Sequence, residues 1–147
     1  MTSVALVTAL LVAAVTLLHY EALQGIHRRL GRLAMPARPK VLVVMAGCFL
    51  AHVAAIALYA EGYYALIAWL DAGNLIGTAA DAQISFSECL YFSGATYTSL
   101  GLGDLAPTGP LRLLAAAQAL HGLLLIGWTA SFLYISMERF WTGHRGR

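Results

Sequence analysis

The chain has 147 residues, of which 60% are hydrophobic and only 11% carry a formal charge. Because a soluble domain usually has about 25% charged residues, this composition excludes an ordinary soluble domain and indicates a membrane protein. The length leaves no room for a second soluble domain, and the net charge of +2 says less than the positions of the charges.

Residues 1–34 are predicted to form an N-terminal transmembrane helix with an amphipathic cytoplasmic extension. The segment Val4 to Leu18 has no charge, and Met1 to Tyr20 reaches the roughly 20 residues that a bilayer requires. The alternative is a signal peptide, which normally has basic residues before its apolar run, and none precedes this one. Residues 35–40, MPARPK, contain two prolines and are expected to be a basic linker.

Two further segments are long and apolar enough to span a membrane. Residues 41–70 contain one charged residue, Glu61, and a single helix of about 30 residues would be about 45 Å long. The segment 71–84 is expected to be a loop, because it has glycines, an asparagine and two aspartates. Residues 113–137 have no formal charge and lie in the last predicted span, 110–138.

A short apolar helix is predicted between that loop and the last span. Ser85 and Glu88 fit the capping-box pattern S-x-x-E, which starts a helix. A helix from Phe86 to Tyr97 is about 18 Å long, too short to cross a bilayer. The run TSLGLGD, residues 98–104, follows at once. This order predicts a re-entrant element, whose irregular backbone must be buried in protein or line an aqueous cavity.

The charges are distributed unevenly between the two sides of the predicted spans. Basic residues follow the first and the last span: Arg28, Arg29, Arg32, Arg38, Lys40, Arg139, Arg145 and Arg147. By the positive-inside rule these regions are cytoplasmic, so a multi-pass cell-membrane protein is expected with its N-terminus outside and its C-terminus inside. The other side carries Glu61, Asp71, Asp81, Glu88 and Asp104, opposed only by Arg112. An acidic face of this kind raises the local concentration of cations.

The glycine-containing loop has the chemistry of a cation site. Its alternating glycines permit backbone angles that are closed to other residues, so that successive carbonyls can face one side. Carbonyl oxygens suit alkali and alkaline-earth cations, and Ser99 can add a hydroxyl. The preceding short helix would direct the negative end of its dipole toward the same place. The residues alone therefore favour a cation pathway over a simple turn.

The run TSLGLGDLAPTGP resembles the signature of the potassium-channel pore-domain family, usually written T-T-V-G-Y-G-D. The similarity covers Ser85 to Trp141 and, more loosely, Val41 to Leu70, and GLG is also similar to the second filter of some two-pore-domain potassium channels. The resemblance implies an all-α homotetrameric membrane protein with a pore module over residues 41–147. Within the module it implies an outer helix 41–70, an external loop 71–84, a pore helix 85–97, a filter 98–104, an inner helix 110–138 and a short cytoplasmic tail. The N-terminal helix lies outside the resemblance.

The resemblance also assigns roles to individual residues. It implies that K⁺ is bound by Ser99, Leu100, Gly101 and Leu102, with Gly103 completing the filter. Thr98 would support the filter from behind, Asp104 would hold its outer end, and Tyr91 is expected to hydrogen-bond Asp104. Three residues depart from the family pattern: Leu102 replaces an aromatic residue, Leu100 a valine and Ser99 a threonine. These departures bear on strict potassium selectivity more than on the presence of a cation pore.

In the last span, Gly122 aligns with the inner-helix hinge of the family, and close helix packing is the alternative explanation. Counting on from Gly122 at helical spacing predicts a pore-facing stripe of Leu123, Ile126, Ala130, Tyr134 and Glu138. A ring of Glu138 side chains would concentrate cations at the inner mouth. The alternative for Glu138 is an interfacial residue that pairs with Arg139 or contacts solvent.

The polar residues that remain within the apolar segments do not favour an enzyme. His52 and His121 are functional candidates by their depth, and interhelical hydrogen bonds are the alternative. Ser93 has no evident histidine partner, and the histidines lack a zinc spacing. Cys48 and Cys89 are expected to be buried thiols.

The sequence thus predicts a tetrameric cation channel for K⁺ in the lipid bilayer, with no cofactor and no nucleic-acid partner. The alternatives are a non-selective cation channel and a non-conducting structural or regulatory membrane protein that keeps the pore fold.

Overall fold

The computed structural model describes residues 1–30, 36–77 and 84–142, and the side chains of these except Ala37 and residues 139–142. The described chain has four helices and one short ribbon. The helices are α1 (Thr2–Leu30), α2 (Ala37–Leu70), α3 (Phe86–Tyr97) and α4 (Leu111–Thr142). The strands β1 (Leu75–Gly77) and β2 (Leu105–Pro107) pair antiparallel. This arrangement agrees with the predicted all-helical class.

Three of the helices are long and apolar enough to cross a bilayer. The qualifying stretches are Thr2–Leu30, Arg38–Leu70 and Leu111–Glu138. Glu61 does not break α2, which is one helix of 34 residues and is about 51 Å long at the usual helical rise. Among the described residues, the three segments that the sequence predicted to span a membrane therefore each contain a long apolar helix.

The start of α2 corrects the predicted linker. The helix begins at Ala37, inside the segment 35–40 that was expected to be a linker, and Pro36 is its N-cap. Pro39 is tolerated there because the first N–H groups of a helix have no intrahelical acceptor, so a missing N–H costs nothing. At the other end, α4 runs to Thr142, four residues past the expected end at 138. Residues 31–35 of the predicted extension and linker lie outside the described residues, as do the last five residues of the tail.

The ribbon is a feature that the sequence did not predict. It pairs Leu75 with Pro107 and Gly77 with Leu105, so the segment after α2 is held beside the segment that precedes α4. The hydroxyl of Thr108 accepts from the N–H of Asn74 at 2.8 Å and donates to its carbonyl at 3.0 Å. Strand β1 of the ribbon lies within the predicted loop 71–84, of which residues 78–83, including Asp81, lie outside the described part.

The start of α3 is the predicted capping box. The Glu88 N–H donates to the hydroxyl of Ser85 at 3.3 Å, and the Ser85 N–H donates to the Glu88 carboxylate at 2.7 Å. The backbone hydrogen bond from Ser85 lowers the pKa of Glu88. Because the first N–H groups of the helix are satisfied in this way, α3 can begin abruptly after an extended residue.

The core lies where α1, α2, α3 and α4 pack together. Its largest fully buried side chains include Tyr59, Tyr63, Leu66 and Tyr97. A second cluster, nearer the junction of α1 and α2, contains Leu23, Leu30, Val44 and Cys48. Cys48 and Cys89 are free and buried, as predicted. The N-terminal helix α1 is therefore packed into the same body as the other three helices.

Candidate functional site

The loop at residues 98–104 starts deep inside the helical body. It follows the last residue of α3, Tyr97, whose carbonyl lies directly against Gly122 of α4. Gly122 is eleven residues after the start of α4 at Leu111, which places it about 17 Å along that helix. A depth of about 17 Å is near the middle of a hydrocarbon core about 30 Å thick. The loop therefore begins beside the middle part of α4, and the chain returns from there to β2.

The backbone of the loop alternates between two conformations. The φ angles of Ser99, Gly101 and Gly103 are +57°, +56° and +80°, whereas Leu100 and Leu102 do not have positive φ. In an extended strand successive carbonyls point to opposite sides, and a reversal of the sign of φ at every second residue turns them to the same side. Positive φ is uncommon for a residue with a Cβ, so its presence at Ser99 marks a specialised backbone.

The N–H groups in the first half of the loop point back at α3. The Ser99 N–H donates to the carbonyl of Thr96 at 3.0 Å, and the Leu100 N–H donates to that of Ala95 at 2.9 Å. The Thr98 hydroxyl also bonds this helix, at the carbonyl of Gly94. Within the described part of the chain, no hydrogen bond takes up the carbonyls of residues 99–103. These carbonyls are therefore available to a ligand outside the single chain.

The end of the loop that is farther from α3 is fixed by Asp104. The Tyr91 hydroxyl donates to one carboxylate oxygen of Asp104 at 2.6 Å, and the Leu105 N–H donates to the other at 3.1 Å. The expected contact between Tyr91 and Asp104 is therefore present. The hydrogen bond to Asp104 raises the pKa of the Tyr91 hydroxyl.

The described charges are unevenly distributed between the two ends of the helices, although Arg112 lies at the more acidic end and Glu21 and Glu138 lie toward the more basic one. Asp71, Glu88 and Asp104 lie at the end where α2 finishes and where α3 and α4 begin. Arg28, Arg29, Arg38 and Lys40 lie at the opposite end, where α1 finishes and α2 begins. Arg32, Asp81, Arg145 and Arg147 lie outside the described residues, as does the side chain of Arg139. The loop therefore opens toward the acidic end of the described chain.

The side chains of the loop and one face of α4 lie on the surface of the single chain. Leu100 and Leu102 are 64% and 58% exposed. The stripe predicted to face a pore is also exposed along its whole length, at Leu123, Ile126, Ala130, Tyr134 and Glu138.

Gly122 has a packing role in the single chain. A Cβ at this position would collide with the carbonyl oxygen of Tyr97 and would lie 3.0 Å from its carbonyl carbon. The helix α4 continues without interruption through Gly122. Close packing therefore requires a glycine here, and the hinge remains a prediction.

His52 connects three helices through hydrogen bonds. Its Nδ1 lies 2.8 Å from the hydroxyl of Tyr97 on α3, and its Nε2 lies 3.0 Å from the hydroxyl of Thr129 on α4. The same Thr129 hydroxyl lies 2.9 Å from Nε2 of His19 on α1. The interhelical hydrogen bonds that were the alternative for His52 are thus present, and His19 is a partner that sequence reasoning did not single out.

His121 is satisfied by a separate pair of hydroxyls. The Thr16 hydroxyl donates to the carbonyl of Val12, so it can only accept from Nε2 of His121, 3.0 Å away. Nδ1 of His121 then accepts from the hydroxyl of Tyr59 at 2.8 Å. This assigns a neutral His121 with its proton on Nε2. The interhelical alternative for His121 is confirmed as well.

Gln118 forms a third polar contact, which sequence reasoning also missed. Its amide oxygen accepts from Tyr63 at 2.8 Å, and its amide nitrogen donates to the Ser93 hydroxyl at 2.7 Å. Ser93 in turn donates to the carbonyl of Ile56. The sequence signal for Gln118 is a polar residue within an apolar span, but the partners of such a residue depend on how the helices pack.

Among the described residues, no group of three or more His, Cys, Asp or Glu side chains could hold a metal ion.

Comparison with known proteins gives matches over the same part of the chain. A family described as "Ion channel" matches residues 51–139, more than half of the chain. The inward rectifier potassium channel Kirbac3.1 of Paramagnetospirillum magnetotacticum is 32% identical over 100 residues, which cover 67% of this chain and 33% of that protein. The uncharacterized membrane protein YdjJ of Bacillus subtilis (strain 168) is 37% identical over 79 residues, 53% of this chain and 23% of that protein. The matches thus span a third or less of these relatives, and no solved structure matches the chain significantly.

Proposed function

Because the chain belongs to the ion-channel family and has a pore domain of the potassium-channel type, we propose that it is a homotetrameric channel that conducts K⁺ through residues 98–104. The observation that carries the proposal is the alternating sign of φ at Ser99, Gly101 and Gly103, with the N–H groups of Ser99 and Leu100 directed at α3. Carbonyls turned to one side can replace the hydration shell of a cation.

The binding sites in this proposal are made of backbone oxygens. The carbonyls of Ser99, Leu100, Gly101 and Leu102 bind K⁺, with the Ser99 hydroxyl at the inner end and Gly103 at the outer end. The C-terminal end of α3 carries the negative end of its dipole and favours a cation where the loop begins. Thr98 supports this inner end through its bond to Gly94. No resident cofactor takes part, and K⁺ is the transported ion.

One copy of the loop cannot surround an ion, so the proposal requires closed cyclic symmetry. Four copies place α2 as the outer helix, α3 as the pore helix and α4 as the inner helix around one axis. The exposed leucines of the loop pack against neighbouring subunits, and the exposed stripe of α4 lines the inner cavity. The channel lies in the lipid bilayer with its N-terminus outside, and the acidic end around Asp71 and Asp104 attracts cations to the outer mouth.

A non-selective cation channel is the second candidate, and one observation favours it. Leu102 occupies the position where an aromatic residue is usual in the family, and its side chain is 58% exposed in the single chain. A leucine at this position cannot make the packing contacts by which an aromatic ring would stiffen the filter. The ratio of potassium to sodium permeability distinguishes the two candidates.

The test is cation flux into liposomes that contain the purified protein, measured for wild type, Gly101→Ala and Gly25→Ala. A Cβ meets nothing within 4 Å at either glycine, but only Gly101 has a positive φ, +56°. A left-handed backbone costs a residue with a Cβ about 1–2 kcal/mol, and this cost recurs in every subunit of the ring. We expect wild type and Gly25→Ala to conduct K⁺ and Gly101→Ala to lose flux while it remains assembled. Equal flux in all three proteins would refute the carbonyl pathway.

A further inference from the structure

One chain of hydrogen bonds contains a side chain from each of the four helices. It runs from Tyr97 on α3 to His52 on α2, then to Thr129 on α4 and finally to His19 on α1, with heavy-atom distances of 2.8, 3.0 and 2.9 Å. Tyr97 and His19 are 1% and 0% exposed. Since water does not compete at these depths, the four groups depend on one another for their hydrogen bonds.

The single hydrogen of the Thr129 hydroxyl gives this chain a direction. Thr129 can donate to only one of its two histidine neighbours and must accept from the other. If it donates to His19, then His52 donates to Thr129 from Nε2 and accepts the Tyr97 hydroxyl at Nδ1. If it donates to His52, all of these roles reverse. The chain ends at Nδ1 of His19, which is buried and has no hydrogen-bond partner within the described residues.

The position of this chain ties it to the loop. Tyr97 is the residue directly before Thr98, and its carbonyl lies against Gly122 of α4. Tyr97 is thus held by α4 at its backbone and by α2 at its hydroxyl. Any displacement of its hydroxyl partner moves the residue from which the loop begins.

We propose that His52 is a positioning residue for ion conduction, which holds Tyr97 to Thr129 and, through Thr129, to His19 of α1. This inference rests on the proposed channel function and adds a regulation of the same loop. The inference assigns a role to α1, which lies outside the family match. The positions of α1 and α4 determine the position of Tyr97, the residue directly before the filter.

His121 supplies a control, because it also connects α1, α2 and α4 through hydrogen bonds. His121 bonds Tyr59 on α2 and Thr16 on α1, but its described hydrogen bonds do not include α3. Tyr59→Phe therefore removes a buried hydroxyl–histidine bond just as Tyr97→Phe does, but it leaves the hydrogen bond between Tyr97 and His52 in place. Thr16→Val is the corresponding control for Thr129→Val.

The experiment measures the potassium-to-sodium permeability ratio and the melting temperature of reconstituted protein for these four variants and for Tyr97→Phe combined with Thr129→Val. We expect Tyr97→Phe and Thr129→Val each to change the ratio by about threefold or more, and both controls to leave it within about twofold of wild type. The double variant should have the same permeability ratio as the single variants. Tyr97→Phe already disconnects Tyr97 from His52, so the further loss of the Thr129 hydroxyl cannot act on Tyr97 through these hydrogen bonds. Melting temperatures should fall similarly in variants and controls.

The outcomes separate this inference from the proposed function. A wild type without cation flux refutes the channel and this inference with it. A conducting wild type whose Tyr97→Phe and Thr129→Val variants match their controls refutes only the role of His52. Additive effects in the double variant also refute it. If Tyr97→Phe does not assemble, Thr129→Val, which preserves the shape of the side chain, decides the question against Thr16→Val.

Discussion

Replacement of Gly122 by alanine tests how closely α4 approaches the end of α3. The added methyl group would collide with the carbonyl oxygen of Tyr97 and would lie 3.0 Å from its carbonyl carbon and 3.2 Å from its Cα. Ordinary contacts between carbon atoms are about 3.5–4.0 Å, so the two backbones must move apart by at least about 0.5–1 Å, and farther to clear the carbonyl oxygen. The obstacle is backbone at the end of a capped helix, so no rotation of a flexible side chain can relieve it.

The expected cost follows from this geometry. Overpacking of a well-packed core costs about 1–3 kcal/mol, whereas a glycine-to-alanine change in a helix with free space gains up to about 1 kcal/mol. Gly127→Ala supplies that second case, because it lies in the same helix and a Cβ there meets nothing within 4 Å. Because the gain in helix propensity applies to both variants, Gly122→Ala should be less stable than Gly127→Ala by the overpacking cost, about 1–3 kcal/mol.

The assay is chemical unfolding of the two purified variants in the same detergent, followed by flux in liposomes. Gly122→Ala should unfold at a lower denaturant concentration and should also conduct less, since the displaced Tyr97 precedes Thr98. Equal stability of the two variants would refute the close approach. Equal stability combined with altered gating would instead support a hinge at Gly122.

Two further predictions concern the outer mouth and the orientation of the chain. Asp104→Asn should lower cation conductance at all ionic strengths, because it weakens the bond to Tyr91. The control Asp71→Asn should lower conductance only at low salt, where the Debye length reaches about 30 Å. If conductance depended on ionic strength in the same way in both variants, Asp104 would have no role in the filter. For orientation, a cysteine in place of Arg38 in a variant without Cys48 and Cys89 should resist an impermeant thiol reagent applied outside cells, and ready labelling would reverse the proposed topology.

Local properties of the sequence sufficed to predict most of the helical architecture. The three spans follow from the length of the apolar runs, and the start of α3 follows from Ser85 and Glu88, which are three residues apart. Alternating glycines correctly indicated a specialised backbone at Gly101 and Gly103. The contact between Tyr91 and Asp104 was predicted only from the family resemblance, because 13 residues separate them.

The features that were missed depend on packing between distant segments. The ribbon joins strands of three residues, which are too short to show an alternating pattern. His19 and Thr129 are 110 residues apart, and nothing in their local sequence identifies one as the partner of the other. The reason for glycine at position 122 lies in the backbone of Tyr97 on another helix. The helical start at Ala37 differs from the prediction for another reason, because prolines predict an interruption whereas the first turn of a helix tolerates them.

The most direct test of the central claim is to locate a heavy K⁺ analogue, such as Tl⁺, by anomalous scattering in crystals of the assembled protein. The proposed channel predicts ordered ions on a fourfold axis, ringed by the carbonyls of Ser99, Leu100, Gly101 and Leu102. In crystals grown with Gly101→Ala these ions should be lost while the fourfold axis remains. An assembly without fourfold symmetry, or a fourfold axis with no ordered ion beside these carbonyls, would contradict the account.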